Sequence, residues 1–368
     1  MNRAVLGLIV SVSLLFGVGL VMVFNTTAAE IIDRSLEVST HAALLKQVAY
    51  GAIGVIVGII AYFYGYRTIL KYSVPLLIGA TLLLLCVFLP GLGQTINGAR
   101  RWIGFAGYTF QPSECAKILI PLVFIRWAVS VEKISFLPFA KVLAFLGVPL
   151  ALIFFEPDNG TTVIILASMT VLFWLSRIPW TYWAVPLLAV TLVGGAVASR
   201  MPHVPDRIRI YLNPELDLRG KGHQPHQAKI AAGSGQLFGR GLGESLQKLN
   251  YLPEARSDYI AAIFAEECGF IGILAMIALY MTFAFSGFSI AMRCPNREGF
   301  LSAALLTFLV AFQAFLNLGI VSGLLPSKGM TLPFFSQGGS SLIMNIVVLF
   351  VLLDISRTAS EMRGNLTK

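Results

Sequence analysis

Ionisable side chains are sparse in this 368-residue chain, with 12% of positions charged against 57% apolar, so the places where they gather carry the information. Carboxylates can move protons and cations can hold anions, and both types collect in a few segments. One segment reads Asn97-Gly98-Ala99-Arg100-Arg101-Trp102, followed by Gln111-Pro112-Ser113-Glu114-Cys115-Ala116-Lys117. Glu114 and Lys117 are three apart and share one face of a helix that Pro112 would open. An ionised side chain deep in a bilayer costs roughly 2.5–3.5 kcal/mol on insertion scales, so the two imply mutual pairing or a wet cavity. A second segment is Glu156-Pro157-Asp158-Asn159-Gly160, in which Asp158 either caps the following helix or turns toward the first cluster. A third runs from Gln227 to Leu252-Pro253-Glu254-Ala255-Arg256-Ser257-Asp258-Tyr259. Ser257 or Asp258 would be an ordinary N-cap there. Glu266 and Glu267 lie one to two turns deeper, where an acidic pair must face other helices. Finally, Lys328 sits in a stretch with Pro326, Pro333 and Gly338-Gly339-Ser340-Ser341 that can only be a packed or re-entrant segment.

Other chemistries find less support. Gly239, Gly241 and Gly243 resemble a phosphate-binding loop only faintly, with no strand before them and no P-loop lysine after. His223 and His226 are three apart on a loop with Pro225 between them, which is weak for a metal. Cys86, Cys115, Cys268 and Cys294 show no C-x-x-C spacing, so neither a metal site nor a disulfide framework is expected. The net charge of +9 would suggest nucleic acid in a soluble protein. Here the position of the charges matters more, and no nucleic-acid partner is expected.

The elements that must position these groups are membrane helices. Only helices satisfy their own backbone in lipid, and about 20 apolar residues span the hydrocarbon. Apolar stretches at 4–24, 48–66, 73–90, 113–131, 138–155, 160–176, 180–198, 259–284, 300–321 and 336–356 predict an all-α polytopic membrane protein of about ten spans. A long polar loop, 199–257, separates the seventh span from the eighth. No fixed-period repeat is apparent, so residues 1–368 form one membrane domain. Short segments on one side carry Arg3, Arg67, Lys71, Arg126, Lys133, Lys141, Arg177, Arg293, Arg297, Arg357, Arg363 and Lys368, against Arg34, Lys46, Arg100, Arg101 and Lys328 on the other. The positive-inside rule then puts both termini in the cytoplasm and the long loop outside.

In this order, the segments resemble the SEDS family (shape, elongation, division and sporulation proteins) along essentially the whole chain. The matching stretches are N-G-A-R-R-W-I with Q-P-S-E-x-x-K, E-P-D-x-G, K-x-x-Y-L-P-E with S-D-Y-I and E-E-x-G-x-x-G, and L-P-x-x-G-x-x-L-P with S-x-G-G-S-S. The stretch Gln247-Lys248-Leu249-Asn250-Tyr251-Leu252 and Pro326-Ser327-Lys328-Gly329 look more like the division branch than the elongation branch. Three positions depart from the usual pattern: Arg256 where histidine is common, Gln337 where tyrosine is common, and Phe24-Asn25-Thr26-Thr27 where a Tyr-Ser-x-Ser stretch is typical.

The resemblance implies a peptidoglycan glycosyltransferase in the bacterial cytoplasmic membrane, acting at the division septum. Its substrates would be lipid II and a lipid-linked glycan, and its partners a class b penicillin-binding protein and other division membrane proteins. A sugar 4-hydroxyl would attack the anomeric carbon with inversion, giving a β-1,4 linkage. Asp258 would be the base, with Arg100, Arg101 or Arg256 holding the diphosphate and Glu114, Lys117, Asp158 and Lys328 shaping the same cavity. No particular cofactor is implied, and a divalent cation could assist the diphosphate. A lipid II flippase is the alternative, since it too needs an amphiphilic groove and intramembrane charge, but inverted repeats are not apparent.

Overall fold

The computed structural model describes residues 3–33, 40–96, 98–105, 108–200, 211, 222–249, 252 and 255–366. Asn97, Asn250, Tyr251, Pro253, Glu254 and the first part of the expected outer loop, 201–210 and 212–221, lie outside the described residues. The helices are α1 (Arg3–Asp33), α2 (Ala42–Tyr64), α3 (Tyr66–Lys71), α4 (Ser73–Phe88), α5 (Pro112–Ser130), α6 (Phe136–Phe155), α7 (Asn159–Leu175) and α8 (Trp180–Arg200). They continue with α9 (His223–Ser234), α10 (Ile260–Arg293), α11 (Arg297–Val321) and α12 (Gly339–Leu366). A helix overlaps each of the expected spans. Seven are long and apolar enough to cross a membrane, while α4 and α7 are shorter apolar helices. α5 holds Glu114, Lys117 and Arg126.

Which faces are apolar outside and polar inside explains the packing. α11 and α12 form the centre, with most of their apolar windows buried. α2 runs along α12, α10 lies against α1 and α11, and α5 is wedged among α4, α7 and α11. Phe124, Phe139 and Phe173 pack edge to face and join α5, α6 and α7. Leucine, isoleucine and valine side chains stay exposed around the outside, as a lipid solvent requires. α8 is the extreme case, with none of its apolar window buried.

Two features add detail to the expectation from sequence. The structure is not all helix, because β1 (Gly93–Ile96), β2 (Ala99–Phe105) and β3 (Tyr108–Phe110) form an antiparallel sheet in the order β1-β2-β3. Ile96 pairs with Ala99, and Gly98 takes a φ of 75°, the left-handed backbone that a two-residue hairpin turn needs. Several helices also outrun their apolar windows: α1 continues to Asp33, α10 to Arg293 and α12 to Leu366. Their polar ends reach beyond the hydrocarbon, where hydropathy gives no signal.

Between α11 and α12 the chain lacks regular structure, and Phe334 holds a φ of 65°. Leu332, Phe334, Phe335 and Ser336 are nevertheless buried. Irregular backbone at this depth is tolerated only when other groups satisfy it. Here Gln47 donates to the Ser336 carbonyl at 2.9 Å, Tyr280 donates to the Pro333 carbonyl at 2.6 Å, and the Leu332 N–H donates to Ser336 Oγ at 2.8 Å.

Candidate active site

Four polar elements meet at one end of the bundle: the strand β2, the turn before α7, the entrance to α10, and the segment between α11 and α12. Two glycines bring them close. A Cβ on Gly329 would sit 3.0 Å from Asp258 Oδ2, and one on Gly160 would sit 3.1 Å from Met330 Cε, with the Gly329 carbonyl and Asp158 Oδ1 at ordinary contact distance. Asp258 is half-buried there. Lys328 Nζ reaches the Asn159 carbonyl at 3.5 Å, so the segment holding it lies across the start of α7.

Asp158 proves to be both a cap and a convergent group. It accepts from the Thr161 N–H at 3.3 Å, and also from Ser113 Oγ and Gln111 Nε2, each at 3.0 Å. Asp258, by contrast, is not a cap. The N-cap of α10 is Tyr259, with no side-chain bond to the helix start, so the N-cap expected at Ser257 or Asp258 is not formed. The main chain of Asp258 is held instead by Asn317 Nδ2, which donates to its carbonyl at 3.0 Å and to the Met330 carbonyl at 2.6 Å.

Glu114 and Lys117 are paired as their spacing suggests, at 2.6 Å and both buried. Lys117 also donates to Gln313 Oε1 at 2.7 Å, and Gln313 Nε2 donates to the Thr331 carbonyl at 3.0 Å. Gln313 and Asn317 thus tie the ion pair, the irregular segment and the Asp258 backbone to one face of α11. Sequence reasoning passed over them, although two amides four apart in an apolar span are a legible signal.

The two arginines of β2 serve different contacts. Arg101 donates to the Glu156 carbonyl at 3.1 Å and to the Pro157 carbonyl at 2.6 Å, which fastens the sheet to the turn before α7. Arg100 is turned back to the Gly93 and Phe88 carbonyls, both at 3.3 Å. All four acceptors are neutral carbonyls, so none of these bonds is an ion pair. The Glu156 carboxyl itself has no hydrogen-bond partner among the described residues and is 1% exposed. Burial, reinforced by Asp158 and opposed by Arg101, pushes it up to about 8, so it is largely neutral at pH 7 and does not cancel Arg101.

The unusual residues of the sequence meet as well. Gln337 donates its N–H to the Arg256 carbonyl at 3.0 Å, so two of the three departing positions are neighbours. The third supplies Asn25, whose Nδ2 donates to both Glu267 oxygens at 2.8 and 2.6 Å. Lys248 completes that second cluster with a 2.8 Å ion pair to Glu267. Glu266 accepts from Ser245 Oγ at 2.5 Å and from the Leu246 and Gln247 N–H groups at 3.3 Å. The glycine series lies in this clamp. α10 breaks its helical conformation at Gly269 (φ 67°), and the N–H groups of Arg240 and Gly241 donate to the Glu266 and Glu267 carbonyls at 3.0 and 3.1 Å. Close backbone approach at Gly239 and positive φ at Gly241 and Gly243, rather than phosphate, account for those glycines.

Residues 6–361 match the family model described as "Cell cycle protein", that of FtsW, RodA and SpoVE. The chain belongs to the FtsW/RodA/SpoVE family. A relative from Nitrosomonas europaea named "Probable peptidoglycan glycosyltransferase FtsW" is 36% identical, over 95% of this chain and 91% of its own. One of the same name from Thioalkalivibrio sulfidiphilus is 37% identical, over 98% and 91%. Among solved structures, a chain of a peptidoglycan synthase complex that coordinates polymerization and crosslinking has a TM-score of 0.77 at 26% identity, over 96% of this chain and 97% of that one. The rod shape determining protein RodA of Thermus thermophilus shares the fold, with a TM-score of 0.69 at 24% identity over 95% and 96%. The expected enzyme class, a glycosyltransferase of the FtsW type, is borne out, as is a multi-pass bacterial membrane protein.

Proposed function

We propose that this FtsW/RodA/SpoVE protein polymerises lipid II into β-1,4 glycan strands at the outer face of the cytoplasmic membrane during septal wall synthesis. The observation that carries the reading is the half-buried Asp258 carboxylate beside Gly329, at the end of the bundle where Arg101 of β2 joins the turn before α7. Asp258 takes the proton of the acceptor 4-hydroxyl as the new bond forms, and general bases of this kind contribute about 10²–10⁴-fold. The hydroxyl displaces the diphosphate from the α-linked anomeric carbon, so the linkage inverts and no covalent enzyme intermediate is needed. Arg100, Arg101 and Arg256 balance charge on the departing diphosphate. Glu114, Lys117, Asp158 and Lys328 hold the cavity in shape.

Among the described residues no group of three or more His, Cys, Asp or Glu side chains could hold a metal ion. A hard divalent cation bound through substrate phosphates needs only one or two carboxylates, and Asp258 fits that lesser demand. Partnership with a class b penicillin-binding protein and other division proteins follows from the likeness to a synthase complex and to FtsW relatives. The distribution of lysine and arginine supports cytoplasmic termini.

Purified protein supplied with lipid II, with and without the transpeptidase, tests the reading. Glycan strands are expected. Translocation of labelled lipid across vesicles without strands would favour a flippase. A thiol probe should label Gly220→Cys from outside intact cells but not Pro295→Cys, and the reverse pattern would overturn the orientation.

A further inference from the structure

At the end of the bundle opposite Asp258, the structure gathers cations that the glycosyl-transfer reading leaves unused. A cavity of 680 Å³ is lined by Arg67, Lys71, Arg126 and Arg297, with Asn296 and Glu298. α5 and α11 each run from the Asp258 end to this cavity, a distance of roughly 28–30 Å at 1.5 Å per residue. The four cations come from α3, α5 and α11 and are all exposed. Glu298 is the one carboxylate in the lining, 4.0 Å from Arg67.

The remaining contacts do not neutralise the cluster. Arg126 donates to the Lys71 carbonyl, and Arg297 donates to the Ser176 carbonyl at 3.0 Å. α11 also begins at the cavity, and Asn296 makes no side-chain bond to its first N–H groups, so the positive helix end adds to the field. Like charges held together at a surface repel unless an anion joins them. Leu70 and Val129 line the same cavity, so its occupant meets apolar surface as well. The volume lies within the roughly 300–1,000 Å³ typical of sites that take a whole small molecule or headgroup.

We infer that this cavity binds the headgroup of an anionic phospholipid, with the phosphate among the four cations and the glycerol end against Leu70 and Val129. Its level, at the helix ends where hydrocarbon meets water, favours a lipid over a soluble anion. The orientation proposed above decides only which leaflet supplies the lipid, the inner one; the site stands without it.

The test uses the purified full-length protein, with lipid retention measured by native mass spectrometry. Phosphatidylglycerol and phosphatidylethanolamine of matched acyl chains are the probes, and millimolar inorganic phosphate and a polyglutamate peptide are the competitors. Phosphatidylglycerol should be retained about tenfold over phosphatidylethanolamine. Lys71→Gln with Arg126→Gln should weaken its retention by roughly twentyfold, near fivefold per lost charge. Glu298→Gln removes the opposing carboxylate and should strengthen it a few-fold, which keeps the test decisive if the double variant does not fold. Equal retention of the two lipids, or variants that leave the preference unchanged, would overturn the inference. So would displacement by phosphate, which marks a free-anion site, or by polyglutamate, which marks a peptide site.

Discussion

α10 carries acidic groups in two settings about 12 Å apart along its axis, Asp258 at its entrance and Glu266 with Glu267 further in. The deeper pair is sealed, at 1% exposure each, and takes donors from Ser245, Lys248, Asn25 and two main-chain N–H groups. Asp258 is half-buried, precedes the N-cap residue Tyr259, and faces a glycine. Both violate the apolar rule of a membrane span, yet only one is accessible. An acidic residue near a span is therefore the better candidate for chemistry when it stays partly exposed, and for architecture when buried donors enclose it.

The largest effect should come from breaking the sealed side. Glu267→Ala leaves the Lys248 ammonium, 5% exposed, without its counter-charge, and should destabilise the protein by about 3–5 kcal/mol. Thermal unfolding in detergent should show a clear drop in midpoint. A parental midpoint with polymerisation abolished would instead move the chemistry to the clamp.

Next in size is the Glu156 carboxyl, which sharpens the comparison because it is buried without a partner. Its folded-state value of about 8 lies above the ordinary 4.5. The native state therefore keeps a proton that the unfolded chain releases, and stability should fall by roughly a few kcal/mol as pH rises through that window. Glu156→Gln, neutral throughout, should flatten the slope. An unchanged slope would show that Glu156 is ionised in the fold.

A smaller effect is expected at the open side. Gly329→Ala puts a methyl group 3.0 Å from Asp258 Oδ2 and should lower polymerisation by about tenfold while leaving the unfolding midpoint close to parental. An undiminished rate would mean that the carboxylate need not stay where Gly329 allows it.

Much of this division was legible before the structure. Lipid permits few backbone solutions, so apolar windows located helices at each expected span, and the same rule exposed Glu114, Lys117, Glu266 and Glu267 as anomalies needing partners. The small sheet was missed because its strands are short, although Asn97-Gly98 marks the position of its hairpin. Spacing alone could not place the helix starts to the residue: Asp158 does cap its helix, whereas the N-cap of α10 is Tyr259, one residue beyond Asp258. Gln313 and Asn317 went unread because uncharged amides disturb hydropathy little, yet they join the α5 ion pair to two of the four polar elements.

The most direct measurement is the polymerisation rate of Asp258→Asn with purified lipid II. The amide keeps the shape of the carboxylate and removes its basicity, so the variant should reach the membrane, unfold at the parental midpoint and bind the transpeptidase, yet lose about a hundredfold or more in rate. Glycan strands made at close to the parental rate would contradict the account and pass the role of base to Glu114 or Asp158.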